Sequence, residues 1–270
     1  MDETAQKLWH ARKEGGVVAL DALTEPASMA EAYAVQAEIM RLCGHEIAGF
    51  KVGSTSKEAQ RLLGTTEPGY CPVPRPYFYE SPARVALDPS HMPAVEGEFA
   101  FRLGRDLPAR DKPYTREELI DAIDAVAGAI EVVGTRIAGG LAGKGRFLVT
   151  ADSGANIGLV VGSWTTDWRD LDLPSHRVTM AVNDAPAGDG EGSRALGDPM
   201  NVMLWLANQQ SGWGRGLEAG QCVSTGTCTG LDPVKPGDRV VADFGAIGTV
   251  DVTFTLSRER RDFPATGKSG

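Results

Sequence analysis

The stretch PAVEGEFAFRL, residues 93–103, sets Glu96 and Glu98 two positions apart in an otherwise apolar run. An extended strand sends residues i and i+2 to the same face, so both carboxylates aim at one place. Like charges that close repel, and burying either one alone is expensive. The pattern predicts a strand with something positive beside its two acids. A third acid stands in similar company: Glu131, in GAIEVVG, is flanked by Ile130, Val132 and Val133. Such a glutamate must be paired, protonated or bound to a cation. Three carboxylates with no His or Cys ligand nearby make a hard oxygen site, suited to Mg²⁺, Mn²⁺ or Ca²⁺ and not to zinc. The plainer alternative leaves Glu96 and Glu98 on a solvated strand face and pairs Glu131 with Arg136 or another base.

Lys51 is the next candidate. It lies in GFKVGST between Phe50 and Val52, close to two glycines. A lysine in an apolar strand serves as a proton-transfer group or a substrate clamp, or it snorkels to solvent. The loop STGTCTG, residues 224–230, offers backbone N–H groups and hydroxyls of the kind that bind carboxylate oxygens, although most such loops are turns.

Around these residues the chain divides by texture. Residues 1–45 predict a helical segment packed on the main body. One helix stops at Gly15-Gly16; the next is capped by Ser28 and stopped by Gly44. Residues 46–258 predict the catalytic body, and 259–270 a flexible tail. Within the body, the proline-rich run after Gly69 predicts a loop or irregular edge. YTREELIDAIDAVAGA predicts a helix opened by a Thr115–Glu118 capping box and running into a strand around Glu131. NIGLVVGS predicts another strand, and MNVMLWLANQQ a helix. A hairpin is predicted to turn at Asn183-Asp184, and two strands to flank GAIG, residues 245–248. Helices and strands do not alternate regularly, so the fold class is α+β and not a doubly wound sheet.

Composition removes several functions. The net charge is -9 and no long basic run occurs, which argues against a nucleic-acid partner or an anionic membrane surface. GGLAGKG is a failed P-loop: Ala138 stands where the first glycine belongs and Gly145 where a hydroxyl is needed. The four cysteines have no zinc or C-x-x-C spacing and read as free thiols of a cytoplasmic protein, with Cys228 close enough to the Gly/Thr loop to line a site. The charged N-terminus has no signal-peptide core, and no apolar run is long enough to span a bilayer.

The stretches GFKVGST, VEGEFAFRLGRDLP, AIEVVGTRI, TADSGANIGLVVG, GSRALGDPMNVMLWLAN and STGTCTGLDPVKPGDRVVADFGAIGTVDVTF occur in this order. Together they resemble the 2-keto-4-pentenoate hydratases and 4-oxalocrotonate decarboxylases of the fumarylacetoacetate hydrolase superfamily, over roughly residues 30–256. The resemblance implies a β-rich roll of mixed sheets with an N-terminal helical segment. It implies Mg²⁺ or Mn²⁺ on Glu96, Glu98 and Glu131, and Lys51 as the catalytic lysine. Asp152, Ser193, Thr225, Gly226 and Thr227 are implied at the substrate. The implied substrate is a small 2-oxo or 2-hydroxydienoate acid from aromatic-compound degradation, and the implied assembly is a homo-oligomer. Hydration is the implied reaction. Decarboxylation, acylpyruvate C–C hydrolysis and 2-oxo-acid binding without turnover are the alternatives on the same metal site. The chain departs from the family pattern at Gly69, where an acidic residue is usual, and in ADSGA, where the family usually has ADNAS. Ser153 and Ala155 thus replace an asparagine and a serine associated with positioning water or substrate.

Overall fold

The computed structural model describes residues 2–257, so the tail expected over 259–270 lies outside the described residues. In chain order the elements are α1 (Asp2–Glu14), α2 (Met29–Cys43), β1 (Ile47–Gly53), α3 (Lys57–Leu63), β2 (Gly69–Pro74), β3 (Phe78–Glu80), β4 (Ala83–Leu87), β5 (Ala94–Leu103), α4 (Arg116–Ala122), β6 (Ile123–Val133), α5 (Gly145–Ala151), β7 (Asn156–Val161), β8 (Arg177–Val182), β9 (Ala185–Glu191), α6 (Pro199–Gly212), β10 (Cys222–Thr227), β11 (Asp232–Pro233), β12 (Arg239–Asp243) and β13 (Thr249–Leu256). The larger sheet runs β2-β1-β10-β5-β6-β7-β3, with β11 added on β5; the smaller runs β4-β13-β12-β8-β9. Pairs β1/β10, β3/β7 and β4/β13 are parallel and the others antiparallel. This is the expected α+β fold with mixed sheets.

β5 lies inside the larger sheet and its two faces have different tasks. Phe99 and Phe101 point into the main core, where Phe99 meets the ring of Phe244 with centroids 5.6 Å apart. Each fully buried phenylalanine contributes about 1.5–3 kcal/mol, enough to hold the strand in register. That register sends Glu96 and Glu98 to the opposite face.

Several local expectations hold. The Ser28 hydroxyl accepts from the Glu31 amide, and Gly44 closes α2 at φ 68°. The Asn183-Asp184 turn has both residues at positive φ, 50° and 63°, as a two-residue hairpin requires. The proline-rich run forms the sheet-edge strand β2, a position that tolerates the missing amide donors of Pro72 and Pro74. One expectation is corrected. The helix opened by the Thr115–Glu118 capping box ends at Ala122, and Ile123–Val133 is strand β6. Alanine and glycine there serve close packing, not helix formation. A Cβ on Gly128 would stand 2.2 Å from the Phe244 ring. Pairing with β5 along the segment, with a Val126–Thr165 bridge on the other side and β7 joining at Ala129, outweighs the helix propensity of the alanines.

The N-terminal helices share a small core with α5, built from Leu8, Val35, Ile39 and Leu148. Gln36 Nε2 donates to the carbonyls of Tyr70 and Thr150, each at 3.1 Å, tying α2 to both β2 and α5. Those two elements form walls of the site.

Candidate active site

In the β5/β6 ladder Glu96 stands directly opposite Glu131. Opposed residues on neighbouring strands share a face, so all three glutamates converge. Their carboxylate oxygens lie within 4.8 Å of one another. Glu98 and Glu131 are 0% and 1% exposed, which removes the solvated-face alternative for Glu98. Glu98 Oε2 accepts from the Ser224 hydroxyl and from the Gly226 amide at 3.1 Å, whereas its Oε1 is buried with no hydrogen-bond partner. Glu131 Oε1 accepts from Asn156 Nδ2 at 2.9 Å and stands 3.4 Å from Lys51 Nζ. An orphaned buried carboxylate oxygen beside two further carboxylates, with one lysine to balance them, fits a hard divalent cation.

Without a cation Glu96 and Glu98 resist ionisation. Burial first, then the neighbouring Glu131, pushes the Glu96 pKa from 4.5 up to about 8. Burial, then Glu131 and Glu96, pushes Glu98 well above its ordinary range. The folded metal-free protein therefore retains protons that the unfolded chain has released. The Glu96 contribution to stability is complete below pH 4.5 and is lost as pH rises through about 8. A cation reverses this, because it binds the deprotonated carboxylates. The gap between the melting temperatures of Mg²⁺-loaded and chelator-treated protein is expected to widen from about pH 5 to about pH 8. A gap constant across that range would remove the cation from these acids.

Lys51, on β1, is 6% exposed and does not snorkel. Its ammonium donates to the Gly154 carbonyl as well as facing Glu131. Burial pulls its pKa down, but Glu131, backed by Cys71, Glu98 and Glu96, more than offsets this and raises it. The carbonyl it uses is presented by a left-handed turn, Ser153, Gly154 and Ala155 at φ 53°, 59° and 60°. Two of these residues carry side chains disfavoured there by about 1–2 kcal/mol each. Gly154 is required for space as well, since a Cβ would stand 2.8 Å from Lys51 Cε.

Lys51, Glu96, Gly154 and Ala155 lie on the lining of a cavity of about 160 Å³. Leu63, Leu141, Val149 and Leu231 supply apolar wall, and Gly69 and Thr150 also reach it. The site thus joins a cation-binding carboxylate cluster, a buried ammonium and an apolar chamber sized for a small acid.

The sequence pattern of the fumarylacetoacetate hydrolase C-terminal domain matches residues 50–255. The chain belongs to the fumarylacetoacetate hydrolase family. It is 33% identical over 258 residues to a 2-keto-4-pentenoate hydratase of Paraburkholderia xenovorans (strain LB400), covering 94% of each chain. It is 30% identical over 258 residues to a 2-oxo-hept-4-ene-1,7-dioate hydratase of Escherichia coli, covering 93% of this chain and 96% of the relative. Its structure superposes with a TM-score of 0.83, at 25% identity, on 4-oxalocrotonate decarboxylase from Pseudomonas putida G7 complexed with magnesium and adipate. That match covers 94% of this chain and 96% of the decarboxylase.

Within this family fold, the residues expected at the substrate separate into distinct places. Asp152 is 1% exposed and is not among the residues lining the cavity. Its carboxylate accepts from Arg136 Nε at 2.7 Å, the Arg136 amide at 2.9 Å and the Thr135 hydroxyl at 2.7 Å. Arg136 is thereby committed to Asp152 and not to Glu131. Ser193 also lies off the lining, and its hydroxyl donates to Glu191 Oε1 at 2.6 Å. Thr225 donates to the Phe99 carbonyl and Thr227 to the Gly230 carbonyl, while the Gly226 amide serves Glu98. This loop supports the carboxylate cluster from behind, because the β10/β5 ladder carries it past Glu98. Cys228 is buried in the core away from the cavity. Of the three departures, Gly69 and Ala155 face the cavity, whereas Ser153 is buried off its lining. Ser224, which opens the loop singled out at residues 224–230, completes the site with Asn156 and Gly154, and Gly154 has no sign in the sequence. Asn156 carried a usable signal, a lone amide opening the buried strand NIGLVV.

Proposed function

We propose that this protein is a divalent-metal-dependent hydratase of 2-hydroxypenta-2,4-dienoate and related 2-oxoenoic acids, serving aromatic-compound degradation. The observation that carries this reading is the convergence of Glu96, Glu98 and Glu131 with Lys51, where Glu96 and Lys51 reach the lining of the apolar cavity. The kinship to named hydratases over 94% of the chain supports it. Mg²⁺ or Mn²⁺ held by the three glutamates would supply Lewis-acid stabilisation of the enolate that forms at C2 and C3 of a chelating 2-oxo acid. The Ser224 hydroxyl and Gly226 amide orient Glu98, and Asn156 orients Glu131. Lys51 stands where it can hold or move a proton beside the substrate oxygen. With the charge of the glutamates compensated, burial is left to lower its pKa toward the working range. Proton delivery to C5 of the dienol gives 2-oxopent-3-enoate, and water addition at C4 then gives 4-hydroxy-2-oxopentanoate. The reading carries with it a homo-oligomer of the cytoplasm, the compartment that suits four free cysteines.

The test is ultraviolet loss of 2-hydroxypenta-2,4-dienoate with Mg²⁺ or Mn²⁺, with the product identified by mass. Gain of one water, abolished by chelation, is the expected result; no turnover with either cation would overturn it. One observation favours a second reaction on the same enolate. Gly69 and Ala155 face the cavity without a polar side chain, and decarboxylation needs no positioned water. Faster CO₂ release from 4-oxalocrotonate than hydration of the dienoate would establish that reading instead.

Glu98→Gln tests the cation directly. The variant keeps the shape but loses a charged ligand, and Mn²⁺ affinity by calorimetry is expected to fall at least about tenfold, the scale of a disturbed metal shell. Unchanged affinity would place the cation elsewhere.

A further inference from the structure

Helix α5 turns Arg146, Val149 and Thr150 to the cavity. They stand at i, i+3 and i+4 and so share one helix face. The C-terminal end of α5 leads into the turn whose Gly154 carbonyl holds Lys51, which places that end beside the glutamates. Arg146 stands one turn back along the helix from Thr150, roughly 5.4 Å farther from that end. Leu63, Leu141 and Leu231 supply apolar lining in the same chamber.

Arg146 is half-buried, and among the described residues it makes no hydrogen bond or ion pair. Arg12, Arg102, Arg110, Arg136 and Arg239 each have carbonyl or carboxylate acceptors. Glu67, the other acid on the lining besides Glu96, is exposed and forms no ion pair with Arg146. The guanidinium is not among the buried atoms that lack a partner, so it reaches solvent and is free to take an acceptor that enters the chamber. Its planar fork matches a carboxylate in bidentate geometry.

We propose that Arg146 receives a second carboxylate at the far end of the substrate. Among the 2-hydroxydienoates and 2-oxoenoates that the site takes, one bearing a second carboxylate is then bound more tightly than the five-carbon monoacid, its C1 carboxylate and C2 oxygen at the glutamate end. This rests on the 2-oxo-acid reading of the site and assigns its specificity to one side chain. Arg146 is a specificity residue and takes no part in proton transfer.

The experiment measures binding of two unreactive acids to the Mg²⁺-loaded full chain by calorimetry, 2-oxopentanoate and 2-oxohexanedioate. The diacid is expected to bind at least about tenfold more tightly, the scale of a charge-assisted bidentate pair. Arg146→Leu should erase that preference and leave the monoacid affinity unchanged, which also reports that the variant is folded. Arg146→Lys should keep part of it. Metal-dependent binding of both acids with equal affinity, or a diacid preference that survives in Arg146→Leu, would overturn this proposal and leave the hydratase reading intact. Failure of both acids to bind, with or without Mg²⁺, would overturn the two together.

Discussion

Lys51→Met is expected to lower turnover of 2-hydroxypenta-2,4-dienoate by about a hundredfold or more, the scale of a lost acid–base group. Methionine keeps an unbranched stem of similar volume, so the packing against Gly154 and Cys71 survives. What disappears is the ammonium that donates to the Gly154 carbonyl and stands 3.4 Å from Glu131 Oε1. Removing a positive charge beside three carboxylates does not weaken a cation site, so Mn²⁺ affinity should hold or rise while turnover collapses. That split separates a role in the reaction from a role in assembling the metal centre. Near-normal turnover in a folded Lys51→Met protein would reduce the lysine to a structural counter-ion.

Asp152→Leu is expected to destabilise the fold by about 3–5 kcal/mol, the cost of leaving one member of a buried ion pair without its partner. Arg136 is 1% exposed and relies on the Asp152 carboxylate for its charge compensation. Thr135 and the Arg136 amide would lose their acceptor as well. Asp152→Asn keeps the shape and part of the hydrogen bonding, so its loss in denaturant unfolding should be smaller and its KM near that of the parent. A large rise in KM for Asp152→Asn at unchanged stability would return Asp152 to the substrate, where the family resemblance had implied it. The two variants together separate a residue that holds the turn behind Lys51 from one that touches the acid.

The sequence by itself determined what depends on residues a few positions apart. Glu96 and Glu98 share a face because a strand alternates, whatever surrounds it. The Ser28 cap, the Thr115–Glu118 capping box and the Asn183-Asp184 turn are closed by side chains and dihedrals within three residues, and each formed as its pattern implies. Only the tertiary structure decided the long-range choices. Residues 123–129 carry a helix-forming composition yet lie in β6, because β5 pairs along that segment and a bridge between Val126 and Thr165 holds its other side before β7 joins at Ala129. Arg136 stood nearer in sequence to Glu131 but pairs with Asp152, and Glu131 takes Lys51 and Asn156 instead. Arg146 gives no local sign of its place, since nothing in GKGRFLV says which helix face meets a cavity whose other walls include β1, β2, α3 and the loop after β10. Lys51 and Gly154 are 103 positions apart, and no pattern within a short window can encode their contact. It is set by the order of strands in one sheet and by the core that holds that order in register.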